Sequence, residues 1–370
     1  MAIAIKPYTE EFIPAVKALN LRLANGGISP DFHFPESNIP GWLPKVENRR
    51  IYQECFLAVD GEFVRGGFIV KQQDFSLRGE TRAISFYRLP VSEGIIDRAY
   101  TSVGVHMLRS ALQSHSLMFA LGMGGLDRPL PQMLKALGWT LTPVPFFFRV
   151  NRPARFLRNI SVLRSSPMRR LGAGFAAATG VGYIAVHAVH WSRTRPAGRR
   201  ASAESISQFG SWADDLWRSC RAEYTMVGSR DSTTLNLLYG DDPKYLRIRV
   251  HDGSETVGWA VMLDTQMQEN KYFGNMRIGT IADVFAAPEW APATIRAAAT
   301  LLRRRGVDLI VSNQSHAAWC EALLSAGFLS APTNFFFASS RALLQVLAPL
   351  PQSLGKIHLN RGDGDGPVNL

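Results

Sequence analysis

The chain has 370 residues, of which 46% are hydrophobic and 19% are charged. This length and composition are typical of two globular domains and exclude a disordered or fibrous protein. The formal net charge of +11 is concentrated in residues 151–203, which hold ten arginines and no acid, so the chain lacks the protein-wide basic surface of a general nucleic-acid binder.

Three cysteines, Cys55, Cys220 and Cys320, are too few and too scattered for a disulfide framework or a zinc site. The N-terminal residues soon become acidic and lack a long apolar run. We therefore expect no signal peptide, no metal and a cytoplasmic location.

In the first half, the hydrophobic pattern predicts strands, a hairpin and helices. In chain order these are a strand at 3–8, a helix at 9–27, a hairpin at 54–77, a strand at 83–91 and a helix at 99–113. Gly26 and Gly27 are expected to end the first helix, and Asp60 with Gly61 is expected to form the hairpin turn.

The second half follows a similar order. It comprises a helix at 211–224, a hairpin at 245–267, a strand at 278–286 and a helix at 291–306. We expect Ser211 or Asp214 to cap the first of these helices, and Pro292 suits the first turn of the second.

Each half closes with the same unit, at residues 118–150 and 309–340: an apolar strand, a helix ended by glycine, and an aromatic strand. Gly138-Trp139 and the triplet 146–148 recur 189 residues later as Gly327-Phe328 and the triplet 335–337. One repeated unit in each half predicts two domains of the same fold. We place them at 1–150 and 204–345, with a connector at 151–203 and a tail at 346–370. The aromatic triplets are expected to be core strands.

This order of elements resembles the GNAT acyltransferase superfamily, which implies two α/β (α+β) domains, each a mixed, mostly antiparallel sheet flanked by helices. The family's glycine-rich turn between the fourth strand and the next helix presents backbone amides to the pyrophosphate of coenzyme A. The resemblance places that turn at Ser102-Val103-Gly104-Val105, after a strand that ends near Val91. If Gly104 is the last position of the motif, Ser102 replaces its first glycine and Ala99 its basic residue. If Gly104 is the first glycine, His106 falls at the last position.

The second half departs further from the motif, because residues 290–294 contain no glycine and Pro292 lacks an amide hydrogen. We therefore expect the first half to bind the donor, and the second half to be a scaffold or to supply the acceptor side. Two GNAT-like domains in one chain also resemble the Fem-type aminoacyl transferases, which use aminoacyl-tRNA.

Acyl transfer needs a base for the acceptor and an acid for the thiolate. In the second half, the polar turn containing Asn313, Ser315 and His316 follows an apolar strand, and His316 is a candidate base. The alternative is that Ser315 or Asn313 caps the next helix. Asp283 lies within an apolar strand, where it either takes part in chemistry or pairs with a cation such as an arginine.

In the first half, Tyr100 is a candidate acid, and the alternative is a packed tyrosine. Tyr87 and Glu93 lie near the end of the preceding strand; Glu93 is typical of a solvated loop residue. Cys320 follows Trp319 in an apolar helix, and core packing is the favoured interpretation.

Within the connector, residues 171–191 carry no formal charge and have arginines on both sides. The favoured interpretation is an inter-domain helix packed on protein, with contact to an anionic membrane surface and a membrane span as alternatives. The tail contains Asp363 and Asp365 among glycines, which indicates a turn or flexible segment because the other ligands of a calcium loop are missing.

These observations predict an acyltransferase that moves an acyl group from acetyl-CoA or another acyl-CoA to an amine or hydroxyl. The basic connector favours a small-molecule or glycan acceptor of the cell envelope, such as a polysaccharide or lipid-linked sugar, with the protein peripheral to the inner membrane. The alternatives are a Fem-like enzyme, whose arginines would contact tRNA, and a non-catalytic binding protein of GNAT origin.

Overall fold

The computed structural model describes residues 3–37, 39–159, 199 and 201–364. The chain divides into two compact units. The first unit comprises Met1–Pro143 with Asn334–Pro351, and the second comprises Val144–Thr333 with Gln352–Leu370. The predictions made for residues 171–191 lie outside the described residues. No helix within the described ranges is long and apolar enough to cross a membrane.

The strands in chain order are β1 (Ala4–Pro7), β2 (Tyr52–Asp60), β3 (Phe63–Leu77), β4 (Glu80–Ser92), β5 (Met118–Met123), β6 (Thr140–Pro143), β7 (Phe146–Val150), β8 (Ser202–Ser205), β9 (Met226–Gly228), β10 (Leu246–Asp252), β11 (Glu255–Gln266), β12 (Arg277–Ala286), β13 (Leu309–Asn313), β14 (Leu329–Ala331), β15 (Phe335–Ser339) and β16 (Ile357–His358).

The α-helices are α1 (Ile13–Asn25), α2 (Thr101–Ser114), α3 (Pro129–Ala136), α4 (Pro153–Asn159), α5 (Ser211–Cys220), α6 (Ser232–Tyr239), α7 (Ala291–Arg304), α8 (Ala317–Ser325), α9 (Arg341–Leu347) and α10 (Leu350–Leu354). Most of the predicted elements appear within a few residues of their expected bounds. The cap expected for α5 is wrong: its N-cap is Gly210, and Asp214 instead accepts hydrogen bonds from Ser232.

The sheet of the first unit has the order β1-β2-β3-β4-β5-β15-β6, and β4 pairs with β5 in parallel whereas the other neighbours are antiparallel. Alternate strand residues face opposite sides of the sheet. Val16 and Leu19 of α1 therefore pack on one face, and Val103 and Met107 of α2 pack on the other face with Tyr87.

The sheet of the second unit has the order β14-β7-β13-β12-β11-β10-β8, with β12 and β13 parallel. Each unit is thus a mostly antiparallel sheet flanked by helices, and the predicted fold class is confirmed.

The two aromatic strands are exchanged between the sheets. β7, from the first repeat, lies between β13 and β14 in the sheet of the second unit. β15, from the second repeat, lies between β5 and β6 in the sheet of the first unit. Our contiguous boundaries at 1–150 and 204–345 assigned each strand to the other sheet, because an apolar triplet carries no information about which edge it will pair with.

The tail also differs from the expectation of a turn or flexible segment. Residues 352–364 fold into the second unit, where β16 pairs in parallel with β9 and a 3-10 helix spans Arg361–Asp363. Asn360 and Asp363 have no solvent exposure. Polar turn residues are buried here because each one finds a hydrogen-bond partner.

Candidate functional site

The parallel strands of the first unit diverge almost at once. β4 and β5 pair only at Ser85–Met118 and Phe86–Phe119. Beyond that point β4 carries a bulge opposite Phe68, where Leu89 adopts a positive φ of 44°. A bulge bends its strand, so β4 turns away from β5, and no strand of the described residues pairs with the two facing edges thereafter.

The turn that follows β4 leads directly into α2. Ser92 and Asp97 accept hydrogen bonds from the amides of Gly94 and Ala99, which fixes the shape of the turn. The N-cap residue of α2, Tyr100, supplies no side-chain cap. The Thr101 amide already donates to the Arg98 carbonyl. The amides that follow it in the exposed first turn of α2 lack intrahelical acceptors and are suited to bind an anion.

Four of the five predicted coenzyme A residues, Ser102 to Val105, lie in the first turns of α2. Ser102 is exposed and Gly104 half-buried, whereas Val103 is buried beneath the helix. A Cβ atom at Gly104 would lie 3.4 Å from the Met133 sulfur of α3, which is ordinary contact. Val91 is also buried, with its side chain packed on the α1 face of the sheet.

Glu93 is not the solvated loop residue that the sequence suggested. It is 4% exposed and binds Arg22 at 2.6 Å and Arg65 at 3.0 Å. Burial opposes ionisation of Glu93, but hydrogen bonds from Arg22 and Arg65 prevail and lower its pKa. A carboxylate held in this way is a weak proton acceptor, so we assign it a structural role.

That role extends to Tyr100. The guanidinium of Arg65 lies 4.2 Å from the centroid of the Tyr100 ring. Glu93 therefore orients Arg65, and Arg65 in turn packs against the residue that begins α2. Tyr100 itself is half-buried at the start of the helix.

Tyr87 is the first residue of β4 beyond the last pair with β5. It is 1% exposed, and its hydroxyl has no hydrogen-bond partner in the described part of the chain. Burial raises the pKa of this hydroxyl well above its usual range. An unpaired buried hydroxyl is unfavourable. Among the described residues of this core cluster, Tyr87 alone has a buried side-chain polar atom without a hydrogen-bond partner.

The corresponding place in the second unit is built differently. β12 and β13 pair from Ile278–Leu309 to Ile281–Ser312. The next residue of β12, Ala282, is the extra residue at a register shift against β11. At the start of α7, Ala291 and Thr294 are fully buried, and the half-buried Pro292 lacks an amide hydrogen.

The tail occupies the gap that opens beyond these pairs. On the β12 side, a ring nitrogen of His358 lies 2.8 Å from the Val284 carbonyl oxygen. On the β13 side, the Ser315 amide donates to the Leu359 carbonyl at 3.1 Å. Arg361 donates to the Asn313 side chain at 2.9 Å. The tail therefore contacts both diverging strands.

Asp283 lies at the centre of a buried charged cluster. Its carboxylate accepts hydrogen bonds from the Tyr239 hydroxyl and from the Asn360 amide, the latter at 2.7 Å. Arg230 lies 3.1 Å from Asp283 and 2.6 Å from Asp363, and none of the three charged side chains is exposed. Burial, together with the charge of Asp363, raises the pKa of Asp283 despite the opposing charge of Arg230.

His316 is the N-cap of α8, a role that the sequence analysis gave to Ser315 or Asn313. Its Nδ1 accepts a hydrogen bond from the Ala318 amide at 3.2 Å. Burial, with a smaller effect of the Lys356 charge, lowers the pKa of His316 to about 4. The ring also packs edge-on against Tyr224, at 4.8 Å between centroids.

The structure thus brings the four predicted acceptor-side residues together, but around the chain's own tail. The role predicted for Asp283, Asn313, Ser315 and His316 requires that the tail leave this gap, and it stays a prediction. The sequence analysis missed the partners of Asp283. The available signal was the acid itself, which an apolar strand tolerates only when it is paired.

The thiol of Cys320 is consistent with the packed interpretation. It lies 3.3 Å from the Gln314 carbonyl oxygen, and burial raises its pKa to about 12. A thiol with so high a pKa is a poor nucleophile at neutral pH.

Solved structures share this architecture over most of the chain. A conserved protein of unknown function and probable N-acyltransferase from Enterococcus faecalis V583 matches with a TM-score of 0.53 and 8% identity, covering 94% of this chain and 75% of its own. N-myristoyltransferase of Saccharomyces cerevisiae, with bound myristoyl-CoA and inhibitors, matches with a TM-score of 0.52 and 9% identity, covering 91% of this chain and 79% of its own. A GCN5-related N-acetyltransferase from Anabaena variabilis ATCC 29413 matches with a TM-score of 0.52 and 9% identity, covering 91% and 72%.

The chain has the fold of the GNAT superfamily. No protein-family model and no curated protein matches the sequence. At 8–9% identity these GNAT structures establish the fold, and the residues of the chain itself must support any activity.

Proposed function

We propose that this protein transfers an acyl group from acyl-CoA to an amine or hydroxyl acceptor, and that the first unit binds the donor. The observation that carries the proposal is the contrast between the two units. In the first, β4 and β5 diverge beside an exposed helix start, whereas in the second the tail fills the gap and the helix start is buried. The GNAT fold supports the reaction class, and the similar yeast protein binds myristoyl-CoA.

In the proposed complex, the first-turn amides of α2, at Ser102 to Gly104, bind the pyrophosphate, and the acyl-pantetheine arm lies between β4 and β5. The acceptor nitrogen or oxygen attacks the thioester carbon and loses its proton to water, the carbon–sulfur bond breaks, and the thiolate takes a proton. The products are the acylated acceptor and coenzyme A with a free thiol. Tyr100, at the start of α2, is our candidate for the donor of that proton.

The acceptor proposal rests on the charge of the connector. The arginines of residues 151–203 favour an anionic or envelope-linked acceptor, such as a glycan, and a location peripheral to the inner membrane. Aminoacyl transfer from tRNA and a purely binding role remain the alternatives that the sequence left open.

Calorimetric titration with acetyl-CoA and with a long-chain acyl-CoA tests the donor site. Ser102→Glu adds an acid to the first turn of α2, which favours the helix but repels a pyrophosphate. We expect about tenfold or greater weakening, whereas the neutral Ser102→Gln retains binding. Pro292→Glu, at the start of α7, is the matched control in the second unit.

Binding of about one acyl-CoA per chain that is lost only in Ser102→Glu supports the proposal. If the folded wild type binds no acyl-CoA, or if Pro292→Glu is the variant that abolishes binding, the assignment of the donor to the first unit is wrong.

A further inference from the structure

A groove of about 530 Å³ lies in the second unit, away from the gap between β12 and β13. One wall is a single stripe of α7 in which small residues, Ala293 and Ala297, alternate with longer ones at helical spacing. The other wall is the strand β8 with the residue that precedes it, where Ala201, Ala203 and Ser205 are again small. Small side chains on both walls leave room for a ligand.

Arginines line this groove along the length of α7. Arg296 lies in the middle of the helix and Arg304 at its end, and both belong to the groove lining. Arg199 lies near the start of the helix, 4.6 Å from the centroid of the Trp290 ring. The lining acid Glu204 lies 3.5 Å from Arg249, so its charge is partly compensated already.

Among these arginines, Arg296 gives the strongest indication of an anionic ligand. It is partly buried, and neither it nor Arg304 has a carboxylate partner among the described residues. Burial lowers the pKa of Arg296. Partial removal of a guanidinium from water without a counter-ion is unfavourable, and an anionic ligand would supply the missing partner.

The spacing and size of the groove restrict the ligand. Eight residues separate Arg296 from Arg304, which corresponds to about 12 Å along a helix. At this separation one phosphate cannot lie beside the Cα atoms of both arginines. Their long side chains can nevertheless converge on two neighbouring phosphates. The volume is that of a small-molecule site.

We propose that this groove binds a small ligand that carries at least two linked phosphate groups, such as a nucleoside diphosphate or a pyrophosphate ester. Arginine forks pair with phosphate oxygens in a bidentate way. Two residues with hydroxyl groups, Thr300 and Ser205, also line the groove. The proposal is independent of the donor site, because it concerns residues of the second unit alone.

The test is calorimetric titration of the full chain with inorganic pyrophosphate and with inorganic phosphate. Arg296→Gln and Arg304→Gln remove groove charges, and Arg303→Gln removes a neighbouring charge of the same helix end that does not line the groove. We expect pyrophosphate to bind more tightly than phosphate, and each groove variant to weaken it about tenfold. Arg303→Gln should change the affinity for pyrophosphate less than twofold.

Three results would overturn the proposal. The first is that the folded wild type does not bind pyrophosphate. The second is that Arg303→Gln weakens pyrophosphate binding as much as the groove variants do, which would indicate a non-specific basic surface. The third is that tRNA or vesicles containing phosphatidylserine bind through Arg296 and Arg304 while pyrophosphate fails to displace them. A urea midpoint within error of wild type checks that each variant is folded.

Discussion

Asn360 donates its side-chain amide to Asp283 at 2.7 Å, and this bond joins the tail to the strand β12 beyond the point where β12 leaves β13. In the first unit, no strand of the described residues pairs with the corresponding edges of β4 and β5. The same fold is therefore used in two ways within one chain. One gap is closed by the protein itself, and the other is our candidate for the acyl donor.

The tail should be a major source of stability for the second unit. Asp363→Asn removes one of the two carboxylates that flank the buried Arg230. Breaking a buried ion pair costs about 3–5 kcal/mol, and urea unfolding should show a loss of this size. The exposed pair Arg218–Asp215 supplies the control, since Asp215→Asn should leave the midpoint unchanged. A small effect of Asp363→Asn would mean that the tail is not held by this cluster.

The exchange of aromatic strands makes a prediction about hydrogen exchange. Phe337 is 3% exposed in β15, pairs with Leu121 of β5 and packs against Phe119. Phe337→Ala should cost about 3–5 kcal/mol, and the amides of β5 should lose protection. The amides of β13, which belongs to the same sequence repeat as β15 but lies in the sheet of the second unit, should keep their protection. If the amides of β13 lost protection while those of β5 kept it, the placement of β15 in the sheet of the first unit would be wrong.

Much of the secondary structure could be predicted because it depends on local patterns. The hairpin turn at Gly61 and the helix at 99–113, observed as α2, are examples. The strands with which β7 and β15 pair could not be predicted, because the two present similar apolar triplets that fit either sheet. Arg230 was missed for a related reason: it is separated by 53 residues from Asp283, and no local pattern marks their contact.

The orphaned hydroxyl of Tyr87 can be tested by removing it. Without a ligand, Tyr87→Phe should raise the free energy of unfolding by about 1 kcal/mol, because a buried hydroxyl without a partner is unfavourable. If the bound donor supplies the missing partner, the same variant should bind acyl-CoA more weakly. Denaturation and calorimetry separate the two effects. A loss of stability in the unliganded variant would show that the hydroxyl already has a partner.

The role of Tyr100 can be read from kinetics once an acceptor is known. Tyr100→Phe keeps the ring that packs against Arg65 but removes the hydroxyl. If this hydroxyl protonates the thiolate, kcat should fall by about 10²–10⁴ while KM for acyl-CoA changes little. Tyr272→Phe, at an exposed tyrosine, is the control. An unchanged kcat for Tyr100→Phe would leave Tyr100 as a packing residue.

The two buried histidines of the second unit predict a loss of stability in acid. Burial lowers the pKa of His316 to about 4 and that of His358 to about 3, whereas an unfolded histidine titrates near 6.5. Below pH 6.5 the unfolded chain binds more protons than the folded chain, so the free energy of unfolding falls as the pH drops. The fall should approach about 1.4 kcal/mol per pH unit for each histidine until its folded pKa is reached. Above pH 6.5 both states are neutral, and neither histidine contributes.

His316→Asn isolates one of these two contributions. Asparagine can still cap α8 by accepting the Ala318 amide hydrogen, but it does not titrate. Urea unfolding between pH 6 and pH 4.5 should therefore show a slope that is shallower than that of the wild type by about 1.4 kcal/mol per pH unit. An identical slope in the two proteins would mean that His316 is protonated in the folded state at these pH values, which its burial beside Tyr224 and His358 argues against.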